Sequence, residues 1–213
     1  MELAGRRVAV FGLAKSGLAT IELLVRRGAA VTACDSKPLD QLPAAAALLG
    51  NLGVEFSIQG AGAIEGMDLV VLSPGVRPDQ EIFERARERG VEITGDVELA
   101  CRFLRGPVMG ITGSNGKTTV TALAGHLLKE CGIPVQVGGN IGTQAVAAMI
   151  DTSRDDQWNV LELSSFQTEM FRRTRVHIGV GLNVTPDHLD RHHTIEEYAA
   201  AKLNMFTGQQ PGD

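Results

Sequence analysis

Residues 110–119 read Gly-Ile-Thr-Gly-Ser-Asn-Gly-Lys-Thr-Thr, a glycine-rich stretch that ends in a lysine and two threonines. It follows a short apolar run, 107–111, that is typical of a buried strand, and it opens a segment with helical periodicity. Glycines allow the tight backbone turn that brings N–H groups close to an anion. The stretch therefore predicts a phosphate-binding loop between a strand and a helix, made of Gly113, Ser114, Asn115, Gly116, Lys117, Thr118 and Thr119.

Two side chains of this loop have the chemistry that a bound triphosphate needs. Lys117 supplies a positive charge for the phosphates, and the Thr118 hydroxyl is a suitable Mg²⁺ ligand. The most common phosphate-loop pattern, G-x-x-x-x-G-K-[ST], has glycine where this chain has Ile111, so the loop is a variant. The alternative is a glycine-rich turn with an exposed lysine, but the strand before the loop and the helix after it favour the phosphate site.

The helix that follows the loop is predicted to bury one face. Its apolar residues recur at the spacing of an amphipathic helix, which places them on a single stripe. The predicted buried stripe consists of Val120, Leu123, Ala124, Leu127, Leu128 and Cys131.

The first 93 residues alternate short apolar runs with helical patterns. Strands are predicted at 6–12, 29–35, 54–59, 68–73 and 91–94, and helices at 17–27, 39–52 and 78–89. This alternation predicts an α/β domain of the Rossmann type with a mainly parallel sheet. The dinucleotide fingerprint is incomplete, since Ala14 stands where its middle glycine normally approaches a pyrophosphate. A bare strand–helix turn and a ligand site therefore stay open alternatives for residues 12–17.

Ligands of a parallel sheet bind beyond the carboxyl ends of its strands. In the first domain three such ends, 12–17, 35–37 and 73–75, can surround one ligand. Ser16 and the start of the first helix keep an anion site possible at the first of them.

A break in the pattern separates a second domain from the first. A linker that contains a short helix at 95–104 is expected at 94–106, after which the α/β alternation restarts. Further strands are predicted at 134–137, 158–164 and 177–183, with helices at 143–151 and from 194 onward. No closing strand is predicted for the second sheet after the last helix. The expected fold class is α/β, with an N-terminal Rossmann-like parallel-sheet domain, 1–93, followed by an incomplete P-loop ATPase-type domain, 107–213.

Glu162 and Lys202 are charged residues at positions that the pattern predicts to be buried. A carboxylate inside an apolar run, as at Glu162, is costly unless it is paired or bound to a metal. Lys202 falls within the predicted buried stripe of the last helix, which consists of Ile195, Tyr198, Ala199, Lys202, Met205 and Phe206. In one alternative, the aliphatic stem of Lys202 is buried while its charged end reaches the solvent. In the other, the pKa of the amine is lowered so that the amine can react.

Two histidines, His188 and His192, stand four residues apart, a spacing that on a helix places both near one metal ion. Pro186 and the loop-like composition oppose a helix, and no third soft ligand is evident, so a zinc site is disfavoured. His192 and His193 are expected to face solvent.

The bulk composition argues against several classes of partner. The 213 residues carry a net charge of −5, with 44% hydrophobic and 21% charged residues, so nucleic acid and anionic membranes have no electrostatic support as partners. No apolar run approaches the length that spans a membrane. Three dispersed cysteines without a C-x-x-C pair indicate reduced thiols and a cytoplasmic location.

Five separated motifs stand in an order and spacing that resemble the Mur ligase family. They are L-S-P-G-V (72–76), T-G-S-N-G-K-T-T (112–119), G-G-N-I-G (138–142), E-L-S-S-F-Q (162–167) and N-V-T-P-D-H-L-D-R-H (183–192). The resemblance covers the whole chain but only the first part of the family enzyme. The fourth motif is the most discriminating, and it is most similar to the family member that joins D-glutamate to UDP-N-acetylmuramoyl-L-alanine.

The resemblance implies an enzyme of three domains, which bind UDP, ATP and the incoming amino acid. In the family, ATP converts a carboxylate into an acyl phosphate, and the amine of the amino acid attacks it. The implied substrates are UDP-N-acetylmuramoyl-L-alanine and D-glutamate, the implied cofactors are ATP and Mg²⁺, and a monomer is expected. The C-terminal domain is expected to be missing from this chain, so the chain alone is expected to be inactive.

The resemblance also implies roles for individual residues. Lys117 is expected to neutralise triphosphate charge, Thr118 and Glu162 to hold one Mg²⁺ ion, and His188 to hold a second. Lys202 matches the family lysine that reacts with CO₂ to form a carbamate, an anion that can bridge toward Mg²⁺. The implied contacts of the muramoyl portion are Asn140 and Gln167, and the implied UDP site is Leu13, Ser16, Asp35, Ser36, Lys37 and Gly75.

Three other functions stay open at this point. The chain can belong to a ligase of the same class with another amino-acid substrate, including a folylpolyglutamate synthase-like enzyme. It can be a module that binds a UDP-sugar without turnover. A third alternative is an NAD-dependent dehydrogenase based on residues 12–35, but Ala14 and the second phosphate loop argue against it.

Overall fold

The computed structural model describes residues 2–141 and 144–213, which form two compact units, Met1–Leu99 and Ala100–Asp213. Each unit contains a parallel β-sheet with helices between its strands, which confirms the predicted α/β class. Within the described residues, no helix has the length and apolar character that crossing a bilayer requires.

The first unit is built on five parallel strands in the spatial order β3-β2-β1-β4-β5. The strands are β1 (Arg7–Phe11), β2 (Ala30–Asp35), β3 (Glu55–Ile58), β4 (Leu69–Leu72) and β5 (Glu92–Gly95), and the helices are α1 (Lys15–Arg26), α2 (Pro43–Leu52) and α3 (Glu81–Glu88). Helix α4 (Asp96–Cys101) begins in this unit and continues past its limit at Leu99. Residues 8–11 of β1 and all of β4 are buried. Their nearly continuous apolar sequence is typical of parallel strands that are covered on both faces.

The order of the strands reverses beside β1, which pairs with β2 on one side and with β4 on the other. Chain connections leave such a point in opposite directions, so a crevice opens beyond the carboxyl ends of the strands. The turns that follow β1, β2 and β4 lie at this edge, as the sequence predicted.

The second unit has four parallel strands in the order β7-β8-β6-β9. The strands are β6 (Val108–Thr112), β7 (Val135–Gly139), β8 (Trp158–Glu162) and β9 (Ile178–Gly181), and the helices are α5 (Lys117–Glu130), α6 (Val146–Met149), α7 (Ser165–Thr168), α8 (Leu189–His192) and α9 (Ile195–Leu203). Glu162 ends β8 in register with Ile111 of β6 and Gly139 of β7. The central strand β8 therefore delivers its carboxylate beside the loop that follows β6.

The expected linker at 94–106 contains regular structure in its first part. Strand β5 continues to Gly95, and α4 occupies Asp96–Cys101. The domain limits at 93 and 107 stay a prediction. The predicted helix at 143–151 begins at Thr143, which with Gly142 lies outside the described residues, and helical structure follows from Val146.

The prediction of a buried apolar stripe along α5 is wrong. Leu123 and Leu127 are half exposed, at 51% and 53%, whereas the buried residues of this helix are Thr121 and Gly125. A Cβ atom on Gly125 would lie 2.3 Å from the Val137 side chain, so the helix approaches β7 through its small residues. Close approach of the backbone, and not the leucine periodicity, sets the buried face of α5.

The predicted stripe along the last helix is confirmed in its central part. Tyr198, Lys202 and Met205 are buried. Thr194 caps the start of this helix, and its hydroxyl accepts a hydrogen bond from the N–H of Glu197 at 3.1 Å. The helix thus presents Lys202 to the interior of the second unit.

Candidate active site

Residues 113–116 of the phosphate loop connect β6 with α5, and residues 117–119 form the first turn of that helix. Gly113 and Gly116 adopt positive φ angles of 156° and 84°, which residues with a side chain rarely adopt. A Cβ atom on Gly113 would also lie 3.0 Å from Cβ of Leu182. The glycines that the sequence singled out are therefore required by the backbone itself.

Residues that follow β9 hold the phosphate loop in place. The N–H of Ser114 donates to the carbonyl of Asn183 at 2.9 Å, and the N–H of Asn115 donates to the Asn183 side chain at 2.9 Å. The Asn183 amide returns a hydrogen bond to the Asn115 carbonyl at 3.1 Å, and the Ser114 hydroxyl donates to the Thr185 carbonyl at 3.0 Å. Asn183 and Thr185 are thus positioning residues that the sequence analysis quoted in a motif but did not single out.

The backbone N–H groups of the loop and those of the first turn of α5 differ in whether they are available to a ligand. The N–H groups of Ser114 and Asn115 are already bonded to Asn183. The first N–H groups of α5 have no intrahelical acceptor because of their position in the helix. An anion is therefore attracted to the beginning of α5, where Thr118 and Thr119 are exposed.

Two lysines converge on one carbonyl oxygen of the phosphate loop. Nζ of Lys117 donates to the carbonyls of Gly113 and Ser114 at 2.8 and 2.9 Å. Nζ of Lys202 donates to the same Gly113 carbonyl at 2.8 Å. Two lysine side chains and a helix N-terminus at one turn suit a polyanionic ligand.

Lys202 is a buried lysine whose amine stays in the interior. The residue is 4% exposed, and Nζ lies 4.3 Å from the centre of the Tyr198 ring. Burial lowers the pKa of this amine to about 8, although Asp187 acts in the opposite direction. The alternative in which the charge reaches the solvent rim is therefore wrong, and the alternative of a lowered pKa agrees with the structure.

The lowered pKa of Lys202 predicts how stability depends on pH. Its pKa in the unfolded chain is near the ordinary lysine value, so the unfolded state binds more protons between about pH 8 and 10.5. The free energy of unfolding should therefore rise with pH across this window, relative to Lys202→Met. Urea denaturation followed by the fluorescence of Trp158, the one tryptophan of the sequence, measures the difference. Equal pH profiles for the two proteins, or the same change in exposed Lys129→Met, would contradict the assignment.

Glu162 joins two other predicted site residues. Its carboxylate is 3% exposed and accepts hydrogen bonds from the Thr118 hydroxyl at 2.7 Å and from the Asn140 amide at 2.9 Å. Gly139 is needed beside it, because a Cβ atom there would lie 2.3 Å from the Glu162 carbonyl oxygen. The carboxylate and hydroxyl oxygens offer the hard ligands that Mg²⁺ prefers.

His188 makes no hydrogen bond with Glu162, Thr118 or Asn140 in the described residues. It adopts a positive φ of 51° at the start of α8, its ring centre is 4.9 Å from that of Phe166, and Nε2 is 3.6 Å from Asp187. The described part of the chain contains no group of three or more His, Cys, Asp and Glu side chains arranged for a metal ion. A metal role for His188 therefore stays a prediction.

His192 is buried, so the prediction that it faces solvent is wrong, whereas His193 is exposed as predicted. The His192 ring stacks on Phe166 with a centre separation of 5.4 Å, and Nε2 lies 3.0 Å from the Ser165 hydroxyl. Burial lowers its pKa. The sequence around His192 carries no signal of this burial, because the Phe166 ring that stacks on it belongs to a separate motif.

Gln167 has a structural contact that the sequence analysis did not predict. Its side-chain oxygen accepts from the N–H of Ser164 at 2.9 Å, and the two residues form a capping box at the start of α7. The residue is 5% exposed. Its contact with a muramoyl group stays a prediction.

In the first unit, Asp35 connects two of the turns that the sequence assigned to one ligand. Its carboxylate accepts hydrogen bonds from the N–H of Leu13 at 2.9 Å and from the N–H of Lys37 at 3.0 Å. Ser36 and Gly75 are exposed at the same edge of the sheet. Ser73, which was not singled out, donates its hydroxyl to the carbonyl of Gly12 at 2.8 Å and so fixes the turn after β1.

A separate cavity of about 200 Å³ lies at the opposite end of the second sheet. It is lined by Cys101, Arg102, Leu104, Gly106, Val108, Arg173, Thr174, Arg175 and His177. None of the predicted site residues lines it.

Sequence profiles place both halves of the chain in one protein family. The profile described as Mur ligase middle domain matches residues 111–213. The profile described as Mur ligase MurD-like, N-terminal domain matches residues 6–95.

Curated relatives match the chain from end to end. A protein named UDP-N-acetylmuramoylalanine–D-glutamate ligase, from Solibacter usitatus, is 57% identical over 213 residues, which are 100% of this chain and 47% of that protein. A protein of the same name from Koribacter versatilis is 48% identical over 215 residues, with coverage of 100% and 47%. The chain therefore spans about half the length of the curated relatives it matches.

Solved structures share the fold at low sequence identity. A UDP-N-acetylmuramate:L-alanyl-gamma-D-glutamyl-meso-diaminopimelate ligase from Neisseria meningitides has a TM-score of 0.62 at 17% identity, covering 97% of this chain and 69% of that one. The UDP-N-acetylmuramate-alanine ligase MurC from Thermotoga maritima has a TM-score of 0.51 at 21% identity, covering 96% and 47%. These likenesses show the fold, and with the profile matches over both halves they lead to one conclusion. The chain belongs to the Mur ligase family, with a MurD-like N-terminal domain followed by the middle domain.

Proposed function

We propose that this chain is the UDP-sugar- and ATP-binding part of an ADP-forming ligase that joins D-glutamate to UDP-N-acetylmuramoyl-L-alanine in peptidoglycan synthesis. The observation that supports the proposal most strongly is the convergence of Lys117, Thr118, Glu162 and Lys202 on one phosphate loop. The names and identities of the curated relatives support the choice of substrates.

The chemistry of the proposed reaction needs an activated carboxylate. A carboxylate is a poor electrophile, and ATP supplies the phosphoryl group that turns it into an acyl phosphate with a good leaving group. The amine of D-glutamate then forms the amide bond and phosphate departs. Protein groups contribute to phosphoryl transfer mainly by positioning and by neutralising charge.

Residues of the second unit have the chemistry for these tasks. Lys117 neutralises phosphate charge at the loop, and the Thr118 hydroxyl with the Glu162 carboxylate would hold Mg²⁺, which neutralises further charge when bound. The oxygen donors and the burial of Glu162 suit this ion. His188 is proposed as a ligand of a second Mg²⁺.

Lys202 is proposed to carry a carbamate. A neutral amine adds to CO₂ and releases one proton, so the reaction needs a deprotonated lysine. The pKa of about 8 leaves a useful fraction of this amine neutral near pH 7.5, whereas an ordinary lysine is almost entirely charged. The resulting anion would favour a bound cation near the loop.

The first unit is proposed to bind the UDP portion of the substrate. Leu13, Ser16 and Asp35 belong to turns at the crevice beside β1, together with Ser36, Lys37 and Gly75. Asn140, which contacts Glu162, and Gln167 are proposed to contact the muramoyl portion. We also propose that the protein is located in the cytoplasm and acts as a monomer.

Amino-acid-dependent phosphate release by the longer gene product tests the proposed function. We expect release to require UDP-N-acetylmuramoyl-L-alanine and to be stimulated by D-glutamate, with L-glutamate as the matched control. A lack of stimulation by D-glutamate would refute the assignment. Because this chain corresponds to 47% of its relatives, we expect the 213-residue chain alone to make no ligase product. Detection of ADP and product from it would contradict that expectation.

A further inference from the structure

The cavity at the end of the second sheet opposite the phosphate loop has no role in the proposed function. Its volume is about 200 Å³, and all the described residues that line it belong to the second unit. Val108, the first residue of β6, and His177, which precedes β9, both belong to its wall. The phosphate loop follows the other end of β6, so the cavity is separate from the candidate active site.

Positive charge dominates the wall of this cavity. The basic residues that line it are Arg102, Arg173, Arg175 and His177, and the described lining residues include no aspartate or glutamate. The chain as a whole has a net charge of −5, so the local charge of the cavity is opposite in sign. A concave surface with charge of one sign concentrates the electric field and attracts counter-ions. The cavity therefore favours an anionic ligand.

Arg175 already recognises one oxyanion, the carboxylate of Asp213. Its Nε and Nη2 atoms donate to the two carboxylate oxygens at 2.9 and 2.7 Å. The hydrogen bonds from Arg175 are the largest influence that lowers the pKa of Asp213 to about 2, and His177 acts in the same direction. This forked geometry is how arginine binds carboxylates and phosphates. Asp213 is not among the described residues that line the cavity, so the space beside Arg175 is left for a ligand.

Other lining residues add hydrogen-bond donors, and the backbone holds them in place. Nδ1 of His177 accepts from the N–H of Val108 at 3.1 Å, so the neutral ring carries its proton on Nε2. The N–H of His177 donates to the Val108 carbonyl at 2.9 Å, which fixes this residue to the start of β6. Thr174 contributes a hydroxyl and is buried. Pockets for drug-sized ligands have volumes of roughly 300–1,000 Å³, so this cavity suits a smaller ligand.

We propose that this cavity binds a small oxyanion with at least two negative charges, of the phosphate or polycarboxylate class. The arginines of the wall neutralise the charge of the ligand, and Thr174 and His177 donate hydrogen bonds to it. Asp213 competes with the ligand, because its carboxylate holds the guanidinium of Arg175. The inference is independent of the proposed function, since none of the residues with a role in that function lines the cavity.

Alkylation of Cys101, which lines the cavity, measures its occupancy. Cys101 is half-buried, and exposed Cys131, which follows α5, is the internal reference. The 213-residue chain is treated with iodoacetamide and increasing pyrophosphate or, separately, citrate, and both thiols are quantified by peptide mass spectrometry. We expect one of the anions to slow the alkylation of Cys101 at least about threefold, with half-protection below about 1 mM, and to leave Cys131 unchanged. The anion that protects distinguishes a phosphate ligand from a polycarboxylate, and sodium chloride of equal ionic strength should not protect.

Three variants separate the cavity from general charge effects. Arg173→Gln should raise the concentration for half-protection by about tenfold, because it removes a charged hydrogen-bond donor from the wall. Arg172→Gln is the matched control, since Arg172 is the neighbouring exposed arginine and does not line the cavity, and it should change this concentration by less than about twofold. Asp213→Asn should lower the concentration by about threefold, because it removes a competing negative charge.

Each outcome of these experiments decides the inference. A lack of protection by both anions, or equal protection of Cys131, would overturn it. Equal effects of Arg173→Gln and Arg172→Gln, or weaker binding by Asp213→Asn, would also overturn it. If Cys101 does not react even without an anion, calorimetry of Lys117→Ala with the same anions replaces the alkylation, because the phosphate loop is weakened in that variant. Heat that Arg173→Gln abolishes would then support the inference, and no heat would refute it.

Discussion

Replacing Lys117 by alanine is expected to weaken the binding of a nonhydrolysable ATP analogue with Mg²⁺ by about ten- to hundredfold. The ammonium group is held at the phosphate loop by the carbonyls of Gly113 and Ser114, so it stands beside the place where phosphates would bind. Hydrogen bonds that involve a charged group contribute roughly 1.5–3 kcal/mol, which corresponds to this range of affinities. Calorimetry of the 213-residue chain measures the change.

Lys129→Ala is the matched control for this experiment. Lys129 is an exposed lysine in the last turn of the same helix, so the two variants change the net charge equally. We expect the control to alter affinity by less than about twofold, because surface charges beyond a Debye length are screened. If both variants weaken binding equally, the effect is one of net charge and the phosphate-loop assignment fails.

Replacing Gly17 by alanine is expected to lower the free energy of unfolding of the first unit by about 2–4 kcal/mol. A Cβ atom at this position would lie 1.9 Å from the Gly12 carbonyl oxygen and 2.7 Å from the Ser73 hydroxyl. The nearest of these atoms belongs to the backbone, so the turn after β1 must shift to accept even one methyl group. Hydrogen-exchange mass spectrometry of β1 and β2 in urea reports the stability of this unit separately.

Gly50→Ala makes the same chemical change, but it is expected to raise the free energy of unfolding. Gly50 lies inside helix α2, and no atom lies within 4 Å of a Cβ built there. Alanine should stabilise the helix by about 0.5–1 kcal/mol, because it restricts the unfolded chain more than glycine does. Destabilisation by both substitutions would show that the helix backbone, and not the contact with Gly12, explains the result at Gly17.

The sequence predicted the strands and the loop after β6 because these depend on local chemistry. Apolar runs such as 68–73 and the glycines at 113 and 116 leave few conformations open, and the structure agrees with them. The convergence of Thr118 and Glu162 was also predictable, since the carboxyl ends of parallel strands meet at one edge.

The features that sequence reasoning missed depend on contacts between distant segments. The leucines of α5 have helical spacing, but the pattern does not reveal that Gly125 lets the opposite face approach Val137. The burial of His192 depends on stacking with Phe166, which lies in another motif. The role of Asn183 as a support of the phosphate loop likewise requires the tertiary fold.

The hydrogen bonds between Asn183 and residues 114–115 have a consequence for the thermodynamics of ligand capture. An unrestrained loop must lose conformational entropy when it closes around phosphates, and this loss reduces affinity. Here the loop is preorganised by hydrogen bonds within the chain. Asn183→Ala should therefore make nucleotide binding entropically less favourable, because the cost of ordering the loop is moved from folding to binding.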